Sequence, residues 1–182
     1  MSICRTVLPV HGLAVFAFSV LGLTRSAVGG APRSTFNKPL TAFDASAVER
    51  AKVGAARWLQ DSECLKVLTD FTDGESRTLD RNLEPWGLSA AEYVLTLPFR
   101  DGAAMTRCRE TRVELVTDRG LPQIYVCPGS VGAVHSRFAR TQTQNPSLAE
   151  AMVIHEMLHT LGLGENPPSS IEITERVRTR CR

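Results

Sequence analysis

The sequence lacks several patterns that would assign it to other classes of protein. It contains no C-x-x-C pair, which argues against a cysteine-rich zinc site. Its apolar run at residues 13–23 is too short to span a bilayer comfortably, and neither internal repeats nor low-complexity tracts occur. What is present is ordinary globular composition: 182 residues, 43% hydrophobic and 22% charged, enough for one domain with a core.

Residues 1–29 have the composition of a secretory signal peptide. Arg5 precedes the apolar run, and small residues follow at positions 26–31. We therefore predict export to a secreted or periplasmic location, with cleavage after Gly29 or Ala31. The alternative is an uncleaved N-terminal anchor, the one case in which we expect the protein at a membrane.

The charge balance gives no reason to expect a nucleic-acid partner. Residues 1–29 contain two arginines and no acidic residue, so without them basic and acidic side chains are equal in number. The formal charge of +2 on the full chain therefore comes from the predicted signal peptide and not from a basic surface.

Four cysteines follow the predicted signal peptide: Cys64, Cys108, Cys127 and Cys181. In an exported domain of this size they predict two disulfides. Three pairings are open on the sequence alone. We favour Cys64–Cys108 with Cys127–Cys181, because this pairing ties each half of the domain to itself.

The order of the predicted elements indicates a single α+β domain at residues 44–182, after an extended lead-in at 30–43. It comprises an N-terminal helix, a small mixed or antiparallel sheet, an active-site helix and a short C-terminal helix. The predicted elements are a helix from Asp44 or Ser46 to about Gln60, a short helix near 74–82, strands at 93–97, 112–116 and 123–127, a polar loop at 129–146, a helix capped by Ser147 with Glu150, and a helix from Ser169 with Glu172 to Cys181.

The strongest functional signal is the pattern H-E-x-x-H-x-x-G-x-x-E at residues 155–165. His155 and His159 are four residues apart on a predicted helix, so both imidazoles lie on one face and can bind the same zinc ion. Gly162 can take the positive φ that reverses the chain. The reversal brings Glu165 back as third ligand; Glu175 and then Glu172 are the alternatives.

Glu156, between the two histidines, is the candidate catalytic residue. Zinc lowers the pKa of a bound water, and a neighbouring carboxylate can take its proton during attack on a carbonyl. We therefore expect one Zn²⁺ per chain. Two further candidates for contact with substrate or a developing oxyanion are His135, in the polar loop, and Tyr125, in a predicted strand.

His155, Glu156, His159 and Gly162 resemble the zincin metallopeptidases, and the H-x-x-G extension is most similar to the metzincin branch. The resemblance covers residues 147–165 and the preceding strand at 123–127. It implies zinc, peptide hydrolysis, and a substrate strand lying along a sheet edge above the site.

Two features depart from the metzincin pattern. Its third ligand is usually histidine or aspartate, whereas Glu165 stands here, and no methionine follows Met157 to form a methionine turn. Gluzincins take a glutamate from a following helix, but at a longer separation from the second histidine. The sequence therefore resembles a small zincin that fits neither branch fully.

These features together predict a secreted, monomeric zinc metallopeptidase acting on a peptide or protein. One alternative is a non-catalytic secreted module that binds zinc and a protein partner. Another is zinc-dependent hydrolysis of a non-peptide amide.

Overall fold

Helix α1 (Ala42–Trp58) opens the part of the protein described by this computed structural model, residues 38–110 and 112–181. Thr41 caps the helix by accepting a hydrogen bond from the Asp44 N–H, so the predicted caps at Asp44 and Ser46 were wrong. Asp44 instead accepts a 2.7 Å hydrogen bond from the Ser136 hydroxyl. The predicted signal peptide, and the lead-in as far as residue 37, lie outside the described residues.

Short helices and three short strands follow α1, and two longer helices close the chain. The elements after α1 are α2 (Ser62–Leu65), α3 (Val67–Asp70), α4 (Leu79–Leu83), a 3-10 turn (Glu84–Trp86), α5 (Ala90–Thr96), β1 (Phe99–Asp101), α6 (Thr106–Glu110), β2 (Leu115–Thr117), β3 (Ile124–Val126), α7 (Arg137–Gln144), α8 (Pro146–Thr160) and α9 (Ser170–Arg180). The α+β class predicted from the sequence is confirmed.

The sheet is small and mixed, with strand order β1-β3-β2. Strand β3 pairs in parallel with β1 and antiparallel with β2, with Tyr125 opposite Arg100 on one side and Val116 on the other. Strand β3 lies within the predicted strand at 123–127, while β2 begins three residues later than the predicted strand at 112–116. Strand β1 was not predicted, because its parallel pairing joins distant residues and leaves no local pattern.

Residues 93–96 belong to helix α5, which ends at Thr96, so the predicted strand at 93–97 was wrong. Ser89 and Glu92 form a reciprocal capping box that starts the helix, and this local signal outweighs the strand propensity of the residues that follow. In the helix, Tyr93 lies on the face that packs into the core and is fully buried. Its hydroxyl lies 3.0 Å from Thr160 Oγ1 on α8.

Helix α7 occupies the second half of the predicted polar loop at 129–146. Ser136 caps it, and the buried Phe138 anchors it in the core. Asn145, not Ser147, then caps α8, so the predicted Ser147–Glu150 capping box was also wrong. The Glu150 side chain instead lies against Gly54 of α1, where burial raises the pKa of its carboxyl.

The C-terminal helix begins as the sequence predicts, with Ser169 and Glu172 forming a reciprocal capping box. The prediction of two disulfides is confirmed, but the favoured pairing was wrong: the bonds are Cys64–Cys181 and Cys108–Cys127. Helix α9 packs against α2 and α3, which brings Cys181 to Cys64. Cys108 on α6 meets Cys127 directly after β3.

Helix α8 lies at the centre of the fold. It packs against α1, α7, α9 and β2. Its side chains Ile154, Met157 and Leu158 are fully buried as a result. The predicted active-site helix is therefore enclosed by other elements over most of its surface, and the polar side chains it carries need partners inside the protein.

Candidate metal centre

Two buried histidines meet on one face of helix α8. His155 and His159 are one helical turn apart, and their Nε2 atoms lie 3.0 Å from each other. Only 5% of His155 and 6% of His159 is exposed. The helix thus brings two nitrogen donors to one point at the edge of the core.

The outer nitrogen of each imidazole has a hydrogen-bond partner that orients the ring. His159 Nδ1 lies 2.8 Å from the carbonyl oxygen of Leu163, and His155 Nδ1 lies 2.9 Å from Thr174 Oγ1. A carbonyl oxygen only accepts, so His159 carries a hydrogen on Nδ1, and the Thr174 hydroxyl can accept in the same way from His155. The two Nε2 lone pairs then face each other, an arrangement that a cation between them would stabilise.

Glu165 approaches the same point from the turn after α8. Gly162 has φ +102°, a conformation that favours glycine, and the chain reverses there. Glu165 Oε1 consequently lies 3.4 Å from His159 Nε2 and 3.7 Å from His155 Nε2. The neighbouring imidazoles of His155 and His159 and the guanidinium of Arg107 lower the pKa of Glu165 to about 2, against the opposing effect of burial.

The three donor atoms are close enough together to share one metal ion. Imidazole nitrogen and carboxylate oxygen are common zinc ligands, and ligands of a tetrahedral ion stand roughly 3.4 Å apart. The donor atoms of His155, His159 and Glu165 are 3.0, 3.4 and 3.7 Å apart. These three residues could therefore hold one metal ion.

Neither of the alternative third ligands reaches the histidines. Glu172 is engaged in the capping box of α9, where its carboxylate accepts from the Ser169 N–H and hydroxyl. Glu175 forms a 3.0 Å ion pair with Arg178. Within residues 38–110 and 112–181, His155, His159 and Glu165 are the one such group of donor atoms close enough to share an ion.

The turn that carries Glu165 is supported from a distant part of the chain. The side-chain amide of Asn82 donates to both Asp73 Oδ2 and the carbonyl oxygen of Leu161, each at 2.8 Å. The backbone of Asp73 also pairs with Leu163. The sequence analysis did not predict a role for Asp73 or Asn82, because both residues act on a turn that lies far away along the chain.

Glu156 lies next to His155 on α8 and is half-buried. Successive helical residues are about 100° apart, so Glu156 borders the face that carries the histidines without being part of it. Among the described residues, its carboxylate has no hydrogen-bond or ion-pair partner, in contrast to Glu165, Glu172 and Glu175. No other side chain of the described residues therefore holds this carboxylate in place.

The structure places neither His135 nor Tyr125 beside the two histidines of α8. His135 stacks on Phe43 with ring centroids 3.8 Å apart, and it lines another cavity beside Asp44 and Ser136. The Tyr125 hydroxyl accepts a hydrogen bond from the side-chain amide of Gln123, and the ring packs near the Cys108–Cys127 disulfide. Neither residue contacts His155, His159 or Glu165.

Comparisons with protein-family models, with curated proteins and with solved structures found no match. In the described part of the chain, no helix combines the length and apolar character that crossing a membrane requires. The two disulfides are a feature of proteins that fold in an oxidising environment, which agrees with an extracellular location.

Proposed function

We propose that this protein is a secreted zinc-dependent metallopeptidase that hydrolyses peptide bonds with Glu156 as general base. The observation that carries the proposal is the convergence of His155, His159 and Glu165, with an unpaired glutamate between the two histidines on the same helix. The resemblance of residues 155–165 to the zincins supports this reading, and the two disulfides agree with secretion.

The residues of the site have separate roles in the proposed hydrolysis. His155, His159 and Glu165 would hold the ion, which supplies a Lewis acid that polarises the scissile carbonyl and acidifies water. Glu156 accepts a proton from the attacking water as the new carbon–oxygen bond forms. It then returns that proton to the leaving amine as the carbon–nitrogen bond breaks. Thr174 and the Leu163 carbonyl keep the imidazoles oriented throughout.

Metal binding is tested by exchanging single carboxylates for amides. We expect the purified protein to bind about one zinc ion per chain, and Glu165→Gln to weaken that binding at least tenfold, because the third ligand loses its charge. Glu175→Gln is the matched control: Glu175 pairs with Arg178, so zinc affinity should not change. Equal zinc affinity in the two variants would exclude Glu165 as a ligand.

Catalysis is tested separately from metal binding. Zinc-loaded wild-type protein should cleave members of a mixed peptide library and lose this activity with a chelator. Glu156→Gln should keep zinc but lose activity by a factor of at least 100. Full activity in this variant would contradict the role of Glu156. Zinc binding without cleavage of any peptide would instead favour the non-catalytic zinc-binding module.

A further inference from the structure

A small cavity borders the metal-binding group and contains two arginines. It measures about 180 Å³, and its lining includes Glu165, whose side chain is 30% exposed. The residues that line it are Arg107, Thr117, Arg119, His159, Leu163, Gly164 and Glu165. None of the proposed catalytic steps uses its two cations.

Arg119 lies directly against the turn that carries Glu165. A Cβ atom at Gly164 would lie 3.1 Å from Arg119 Nη1, so the absence of a side chain at Gly164 lets the guanidinium approach the backbone there. Within the described part of the chain, the Arg119 side chain has no ion-pair or hydrogen-bond partner. An exposed guanidinium held near the site retains its full capacity to pair with an anion.

Arg107 and Thr117 line the cavity beside Arg119, and Arg107 brings the second positive charge. Arg107 Nη1 donates a 3.0 Å hydrogen bond to the Thr117 carbonyl, and Nη2 is 3.9 Å from Glu165 Oε2. Thr117 is 3% exposed, and its Oγ1 is buried without a hydrogen-bond partner among the described residues. Buried hydroxyl groups nearly always have partners, so the hydroxyl of Thr117 is an exception beside this cavity.

We propose that this cavity binds a carboxylate group of the substrate. Guanidinium groups bind carboxylates through paired, charge-assisted hydrogen bonds, and Glu165 is the one acidic residue that lines the cavity. Its charge would be engaged by the metal ion in the proposed enzyme. The substrate class is thus a peptide with a negative charge beside the bond to be cleaved, either an acidic side chain or a free C-terminus. The cleavage part of this inference rests on the proposed function, whereas the carboxylate binding does not.

The test measures binding in zinc-loaded Glu156→Gln protein, so that no peptide is consumed. The probes are three tetra-alanine peptides titrated by calorimetry: one acetylated and amidated, one acetylated with a free C-terminus, and one acetylated and amidated with aspartate replacing an alanine. We expect a carboxylate-bearing peptide to bind at least tenfold more tightly than the neutral one. Whichever carboxylate gives the gain identifies the source of the charge.

Arg119→Gln should abolish this preference and leave binding of the neutral peptide unchanged. Arg140→Gln is the matched control, since Arg140 is exposed on α7 and does not line the cavity. Equal binding of all three peptides, or a preference that survives Arg119→Gln, would overturn the inference. If the preference depends on Arg119 but the wild-type protein cleaves no peptide, the carboxylate site stands and the proposed peptidase activity fails.

Discussion

At the scale of single residues, the hydrogen bonds to the outer histidine nitrogens determine whether the Nε2 atoms can act as ligands. The Leu163 carbonyl holds His159, and the Thr174 hydroxyl holds His155 from a different helix. Partners of this kind fix the tautomer and orientation of a metal-binding imidazole, and their loss usually weakens metal affinity by about 10- to 100-fold.

Thr174→Val should lower zinc affinity by about that factor, because the variant keeps the shape of the side chain but leaves His155 Nδ1 without its partner. Competition with a chromophoric chelator measures the affinity. Thr179→Val on the same helix is the control, since its hydroxyl contacts the Glu175 carbonyl on an exposed face. The same zinc affinity in both variants would contradict a positioning role for Thr174.

At the scale of elements, the position of α9 determines where Thr174 lies. Asp70, at the end of α3, accepts hydrogen bonds from Arg180 Nε at 2.9 Å and Nη2 at 3.0 Å and lies 3.2 Å from Arg176. The hydrogen bond from Arg180, followed by that from Arg176, lowers the pKa of Asp70 below its usual 3.8, although burial opposes the effect. This ion pair therefore contributes to the docking of α9 onto α3.

Asp70→Asn should lower the free energy of unfolding by on the order of 1 kcal/mol at neutral pH. Because the pKa is lower in the folded than in the unfolded protein, the contribution is complete above the unfolded pKa, 3.8. This contribution to stability is lost as the pH falls below 3.8 and through the pKa of the folded protein. Urea unfolding at several pH values measures the free energy of unfolding.

The stability difference between wild type and Asp70→Asn should thus be constant at neutral pH and shrink below about pH 4. Glu75→Gln is the control, because its carboxylate is 74% exposed and the change should have little effect on stability at any pH. A stability difference between wild type and Asp70→Asn that grew as the pH fell would contradict a stabilising role for the Asp70 ion pairs.

At the scale of the whole molecule, the two disulfides constrain very different lengths of chain. Cys64–Cys181 closes a separation of 117 residues and fixes the end of α9, whereas Cys108–Cys127 closes a separation of 19 near the sheet. A crosslink restricts the unfolded chain more strongly when the loop is longer. The first bond should accordingly contribute more to stability.

Replacing Cys64 and Cys181 by serine should cost about 5 kcal/mol, and replacing Cys108 and Cys127 about 3 kcal/mol, on the chain-entropy model. Urea unfolding of the two double variants without reductant measures both values. A larger loss for the Cys108–Cys127 pair would contradict the expectation that loop length dominates. Zinc affinity should fall mainly when Cys64 and Cys181 are replaced, because that bond also holds the helix that carries Thr174.

Local signals explain which features could be predicted. Ser169 and Glu172 cap α9 through contacts three residues apart, and the spacing of His155 and His159 on a helix is equally local. The prediction of strand at Tyr93 was wrong because the capping box at Ser89 lies outside the apolar pattern on which the prediction relied. Strand β1 forms by pairing with a strand that lies far away in the sequence, and Asn82 supports the site through a similarly distant contact. Contacts of this kind cannot be predicted from the spacing of neighbouring residues.

The sequence by itself determined the α+β class, the helix that carries both histidines, and the candidate ligands at positions 155, 159 and 165, since each follows from residue type at fixed spacing. Only the tertiary structure decided which carboxylate reaches the histidines, because the reversal at Gly162 must be held by Asp73 and Asn82. It also decided the disulfide pairing, which depends on where α9 packs, and the placing of two arginines beside Glu165.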